Sequence, residues 1–473
     1  MRQVSDDRNI SVKRDECTSK YRFLIFSSHA TAAPVATTQA TIAVSGAGRD
    51  ATVYRCIEAS VIEQWLMHCG WAYEWNGGGH GEAIVEARRA LTRWVDLGLA
   101  CAQAEQGVRL FDPAEVLNFV KMAGRSGKDS LWQERFVETY RNLVREFHSG
   151  KHPSDPPAQP SVLPPRRFRV RLSRQFNLDG IEPGRRLLLR LPVPVEDRGL
   201  RELKISSIAS TTTKAEISRA AGRLEWRLTA RDERSITLSA DYAFTANPTV
   251  GDPEGDQLTA EMMDLYTRPS EGLIEVSSRI AALANRIVGP DPDCWRRLRR
   301  IWDFILDNLT FGIVHYDQIG TANPSEWVLD NGVCDCQLGC ALLISLCRSL
   351  KIPARLASGY LLYSVAANGH YWAEIFIAGR GWVPVDLGCW ELSTGGQHEG
   401  WRNYFFGSLD YRLKTEILPR HFTGLSTIRL GAAWQILHLP IIGGAETRFL
   451  SLETGRLIYC DRLVILQQDA NDV

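Results

Sequence analysis

Asn331-Gly332-Val333-Cys334-Asp335-Cys336-Gln337-Leu338, then Gly369-His370-Tyr371-Trp372-Ala373-Glu374-Ile375-Phe376-Ile377, then Trp382-Val383-Pro384-Val385-Asp386 are the stretches whose reading decides the fold. Asn-Gly is a turn signal. From Gln337 to Leu350 the apolar positions keep helical spacing, with Asp335 as the N-cap. Cys336 then falls in the first helical turn, where unpaired N–H groups and the helix dipole favour a thiolate. Those same N–H groups are an embryonic oxyanion donor set. The second stretch alternates like a strand, so His370, Trp372 and Glu374 share one face. The third is a strand after the turn at Gly379-Arg380-Gly381. A three-residue loop sets Ile377 opposite Gly381 and Trp372 opposite Asp386, making His370 the diagonal neighbour of Asp386. In that register Asp386 can hold His370 in one tautomer, and His370 can serve as base toward the thiol.

Working outward, Cys336-(x)15-Ile352-Pro353-Ala354-Arg355, Ser358-Gly359-Tyr360, His370-Tyr-Trp-Ala-Glu and Gly381-Trp-Val-Pro-Val-Asp386 follow one another in order. Over residues 325–390 this resembles the core of the transglutaminase-like superfamily. The resemblance implies an α+β, papain-like fold with Cys336, His370 and Asp386 as the catalytic triad. It implies acyl transfer from an amide or thioester through a cysteine acyl-enzyme to an amine or to water, as a protease, hydrolase, amidase or acyltransferase. The substrate it implies is a protein, a peptide or a carrier-bound acyl group. The usual family motif has glycine two residues before the nucleophile, which nominates Cys334 as the alternative; the distance to Ile352-Pro353 nominates Cys336. Trp327 and Trp372 are expected as an oxyanion donor or a wall of the acyl site, with Gln318 and Asn331 as further donor candidates. Two other readings stand beside this one. One is an amide-forming acyltransferase of natural-product assembly that uses a carrier-protein thioester; the other is a non-catalytic binding module.

The rest of the chain sets limits. Its 473 residues allow several domains. Lys+Arg and Asp+Glu each number 55, which argues against a nucleic-acid partner. Arg348 and Pro440 interrupt the longest apolar runs, so no membrane span is expected. Eleven scattered cysteines fit free thiols in a cytoplasmic protein better than a disulfide framework. Cys334, Cys336, Cys340 and His370 do not have a usual zinc spacing, and neither a metal nor a cofactor is expected. Gly77–Gly81 lacks the Gly-Lys-Ser/Thr ending of a phosphate loop and reads as a turn.

The expected organisation begins with a flexible leader (1–50) and a helical domain (51–150). In that domain Asp112-Pro113 starts one helix and Ser130 with Gln133 caps another, carrying Trp132, Phe136, Tyr140 and Leu143. A linker (151–165) follows in a stretch that holds six prolines between Ser149 and Arg166. Period-two alternation then marks a β-sandwich (166–250). The catalytic domain (256–400) opens with helices over Leu273–Val288 and Cys294–Leu309, and an aromatic-rich tail with short strands (401–473) ends the chain.

Overall fold

The computed structural model describes residues 41–43, 53–55, 57–60, 62–63, 80–103, 107–125, 163–178, 181–212, 214–220, 222–250, 257–312, 314, 319, 322–363, 367, 369–389, 399–418, 434–441, 444–451 and 459–469. The chain divides into two compact units. Most of the expected leader, the Trp132–Leu143 helix, Gly77–Gly79 and most of the proline-rich linker lie outside the described residues.

The first unit contains helices α1 (His80–Asp96) and α2 (Pro113–Arg125). Ala87, Ala90, Leu91 and Trp94 are buried at the three- and four-residue spacing of one helix face. Val116, Phe119 and Val120 are the buried stripe of α2, and the rings of Trp94 and Phe119 lie 6.1 Å apart. Proline at the first position of α2 follows Asp112, as the sequence implies.

The second unit begins with β1 (Arg166–Asn177), β2 (Arg186–Pro192), β3 (Leu200–Ser210), β4 (Glu216–Ala220), β5 (Arg223–Thr229) and β6 (Ser235–Ala246). β1 and β6 pair antiparallel, Val170 opposite Tyr242 and Leu172 opposite Ala240, with the inward positions of both strands buried. β5 lies between β2 and β4 in a second, three-stranded sheet. The Tyr242 hydroxyl donates to the Pro192 carbonyl (2.8 Å), tying the two sheets together.

Helices α3 (Ser278–Val288), α4 (Cys294–Asn308) and α5 (Pro324–Asn331) precede the central helix α6 (Cys336–Ser349). The run Leu273–Val288 is not one helix. Its first residues form a hairpin (270–271 with 274–275), because the Ser277 side chain accepts from the Ile280 N–H and starts the helix there. α6 is buried on all sides from Gln337 to Arg348. It packs against a four-stranded antiparallel sheet in the order β9 (Gly381–Val385), β8 (Gly369–Ile377), β7 (Ala354–Leu361), β10 (Arg412–Ile417). This is an α+β architecture.

The later strands of the chain join both the catalytic sheet and the larger sandwich sheet. β10, from the stretch read as a tail, forms the edge of the catalytic sheet. β11 (Tyr459–Asp469) pairs along β1 and extends the sandwich sheet, whose far side continues through 444–451 and 434–441. Arg174 on β1 makes a two-point ion pair with Asp461 on β11 (2.6 and 2.7 Å), and Tyr360 on β7 donates to the same carboxylate (2.8 Å).

Two buried ion pairs fix the catalytic layers. Arg348, inside α6, binds Glu271 (2.8 Å) and donates to the carbonyls of Ala354 (2.9 Å) and Arg268 (3.1 Å). Removing one partner of such a pair strands the other charge. Arg348→Ala should therefore destabilise the protein by about 3–5 kcal/mol in urea unfolding, and Arg348→Met with Glu271→Gln by less than the single variant. The second pair centres on Glu374, which accepts from Arg355 (2.7 Å) and Trp372 Nε1 (3.3 Å) and contacts Lys414 (2.5 Å). Burial pushes the Glu374 carboxyl up, but Lys414 and Arg355 outweigh it and hold the group at about 2, below its ordinary 4.5. A depressed folded-state value contributes stability above the unfolded value, which is lost as pH falls toward the folded one. Urea unfolding across pH 5 to 2 should show this loss, and Glu374→Gln should flatten the decline.

Candidate active site

Gly332 ends α5 in the left-handed conformation (φ 67°), and the chain turns into a short strand, Val333–Cys334, parallel to 310–311. Asp335 then caps α6 by accepting from the Leu338 N–H (2.8 Å), which makes Cys336 the first helical residue. Of the thiols at 334, 336, 340, 347 and 389, Cys336 alone is partly exposed; the other four are buried. Cys334 Sγ lies 2.9 Å from where a Cβ on Gly339 would sit, so the alternative nucleophile fills the notch that this glycine leaves.

The β8–β9 hairpin has the three-residue loop Ala378–Arg380, with Ile377 opposite Gly381 and Ala373 opposite Val385. That register brings His370 and Asp386 together. Both side chains are fully buried, and His370 Nε2 lies 2.9 and 3.0 Å from the two carboxylate oxygens. Cys389 donates its backbone N–H to Oδ1 (2.9 Å), and Arg412 donates from Nη2 to Oδ2 (3.2 Å). Burial would raise the Asp386 carboxyl, but His370, Arg412 and the Cys389 N–H hold it well below the ordinary carboxylate range. An ionised Asp386 assigns the ring proton to Nε2 and leaves the lone pair on Nδ1. Among the described residues, this buried Nδ1 has no hydrogen-bond partner.

Cys336, the first residue of α6, is surrounded by groups from the helix cap and from β8 and the β9 end. Its sulfur is stabilised as an anion by the N–H groups of Tyr371, the residue after His370, and Gln337. The net effect is nevertheless upward. Burial pushes the thiol well above its ordinary value, and the Asp335 and Asp386 carboxylates add to the push. The helix-start N–H groups act downward on this thiol, as expected, against the larger upward push of burial. The dipole of one turn is outweighed by low polarity and two nearby negative charges. Proton transfer to a neighbouring base is one way to supply the thiolate here.

The two tryptophans separate. Trp372 is fully buried, packs with Ala357 and Leu409 and donates to Glu374, so it offers no surface to an acyl group. Trp327 is partly exposed on α5. Asn331 donates its side-chain amide to the Trp327 carbonyl (2.8 Å). Gln318 lies outside the described residues.

His370, Asp386 and Cys389 present three donor atoms within 4.8 Å of one another. The positive charge at this spot comes from the chain itself. Arg412 Nη2 lies 3.0 Å from Cys389 Sγ and within bonding distance of Asp386. Sequence reading missed Arg412, Cys389 and Gly388. A Cβ on Gly388 would sit 2.6 Å from His370 Cε1 and 2.9 Å from Phe311 Cζ, so the imidazole occupies space that only glycine leaves.

Residues 281–387 match the family model described as the transglutaminase-like superfamily, and this stretch is a transglutaminase-like domain. No curated protein matches the chain. Among solved structures, a candidate cysteine protease from Cytophaga hutchinsonii is similar at 17% identity and TM-score 0.41, over 65% of this chain and 93% of the other. The periplasmic domain of TgpA from Pseudomonas aeruginosa is similar at 13% identity and TM-score 0.27, over 56% and 95%. No helix among the described residues is long and apolar enough to cross a membrane.

Gly388→Ala should drive the imidazole off Asp386. The checks are the ring 15N signals of His370, which should lose the signature of a carboxylate-bonded Nε2, and urea unfolding, which should show a loss of about 1–3 kcal/mol.

Proposed function

We propose that the protein is a cysteine acyl-transfer enzyme acting on protein or peptide amides, with Cys336 as nucleophile, His370 as acid–base and Asp386 as the group that orients the imidazole. The observation that carries this reading is the state of His370. Its Nε2 is pinned to a buried, ionised carboxylate, its Nδ1 lone pair is unpartnered, and the Tyr371 N–H beside it faces the Cys336 sulfur. A base held in one tautomer and aimed by a carboxylate is what a thiol with a raised pKa requires.

In this mechanism Nδ1 takes the thiol proton as sulfur attacks the substrate carbonyl carbon. The developing oxyanion is met by N–H groups of the first turn of α6. Collapse breaks the C–N bond, and the departing amine takes the proton from Nδ1, leaving an acyl-enzyme on Cys336. Water or an acceptor amine then gives its proton to Nδ1, attacks the thioester and releases the thiolate. Hydrolysis and transfer share every residue of this scheme and differ only in the acceptor. The described cysteines all carry free thiols, which supports a reducing, cytoplasmic setting.

An activated acyl probe followed by intact-mass and peptide mapping tests the assignment. The adduct is expected on Cys336. Cys336→Ala should abolish it and lower turnover by about 10³-fold or more, whereas Cys334→Ala should keep both within about tenfold. An adduct on Cys334, or turnover surviving in Cys336→Ala, overturns the reading.

A further inference from the structure

We propose that Arg412 is a positioning residue for the triad: it locks the Asp386 carboxylate plane against His370 and supplies the counter-charge that this buried carboxylate needs. The inference rests on the acyl-transfer reading and adds a fourth residue to it, from a strand beyond the stretch that matches the family.

The geometry is specific to this carboxylate. Both oxygens of Asp386 face His370 Nε2, and each is also held by a second donor: Oδ1 by the Cys389 N–H, Oδ2 by Arg412. A carboxylate pinned at both oxygens cannot rotate, so the imidazole has one orientation. Gly359 is what lets Arg412 reach this spot. β10 closes on β7 through an irregularity at Ser358 and Gly359, where a Cβ would lie 2.0 Å from the Leu413 carbonyl oxygen. The next residue but one in the ladder pairs Leu361 with Arg412. Arg412 is itself fixed. Its guanidinium donates to the Tyr411 carbonyl (3.2 Å), lies 6.0 Å from the Tyr363 ring and is buried. Nearby Asp410 accepts from Tyr363 (2.6 Å) and Tyr404 (2.5 Å).

The charge argument follows from the groups in contact. Cys336 is faced by Asp335 from the helix cap, by Asp386 from the β9 end and by Cys340 from the helix; His370 is faced by Asp386 and Cys389; and Arg412 from β10 reaches Asp386 and Cys389. Arg412 is faced by Cys389, Asp386, Tyr363 and Asp410. It is the cation among them. Without it, two buried carboxylates lose their counter-charge, and Asp386 acts undiminished on Cys336.

The first measurement needs no substrate. Iodoacetamide alkylates thiolates, so its rate at Cys336 against pH reports the thiol, and exposed Cys294 serves as the reference thiol in the same protein. In Arg412→Met and Arg412→Gln the rise in Cys336 alkylation should move to higher pH by about one unit or more. Arg412→Lys, which keeps the charge but loses the fork, should leave the rise in place while lowering turnover. The Gln variant retains a hydrogen-bond donor, so it reports on charge even if the Met variant folds poorly. The proposal is overturned if the Gln and wild-type curves coincide after normalisation to folded protein. A Cys336 that alkylates normally yet is dispensable for turnover sinks the acyl-transfer reading instead; a shift there would still establish the Arg412 coupling.

Discussion

The bond between His370 and Asp386 lies where water does not reach, and much of the surrounding structure follows from that condition. A carboxylate removed from solvent needs donors for both oxygens and a positive charge nearby, or it takes up a proton and loses its hold on the ring. The chain meets this need from three directions: an imidazole on β8, a backbone N–H just past β9, and a guanidinium on β10. Gly388 clears the space for the ring, and Gly359 clears the path for the strand that brings the guanidinium. Acid–base geometry here is a packing problem solved with small residues and buried charge.

The same sheet carries a second buried charge cluster. Glu374 lies four residues from His370 on the same strand. It is matched by Arg355 and Lys414, and Lys414 reaches on to Asp197 beside the sandwich strands. The Arg355 guanidinium also lies 3.9 Å from the centroid of the Trp382 ring. Buried ion pairs add little net stability compared with apolar packing, but they penalise wrong pairings heavily. Their placement between β7, β8 and β10 therefore acts on register, and register decides whether His370 meets Asp386.

Much of this was legible in the chain. Alternation gave the sandwich strands, a capping aspartate gave the start of α6, and the three-residue turn gave the face shared by His370 and Asp386. What was not legible has one physical origin. Arg412, Lys414 and Glu416 alternate with the uncharged Leu413, Thr415 and Ile417 as on a half-exposed strand, and a sequence pattern cannot tell a wet face from one covered by another layer. That strand was read only as part of an aromatic-rich tail, and nothing in its pattern marks Arg412 and Lys414 as buried, which they are. Trp372 failed for the converse reason. Its place beside His370 in sequence suggested the acyl site, while the pleat and the layer above it sealed it in. The thiol's raised pKa was also invisible, since the burial around a helix start cannot be read from its residues.

β11 has a consequence for the order in which this protein is made. Its partner strand β1 leaves the ribosome nearly three hundred residues earlier, as the separation of Arg174 and Asp461 records. The whole catalytic layer is threaded between two strands of one sheet. The sandwich thus has an incomplete edge throughout synthesis of the catalytic layer, and closing it carries the entropy of a very long loop. Tyr360 donates to Asp461, so the last strand to emerge also closes onto the sheet that carries the histidine. The nascent chain can make this contact between the two sheets only after β11 has emerged. An exposed edge in that interval is the point at which a holding chaperone would be of use.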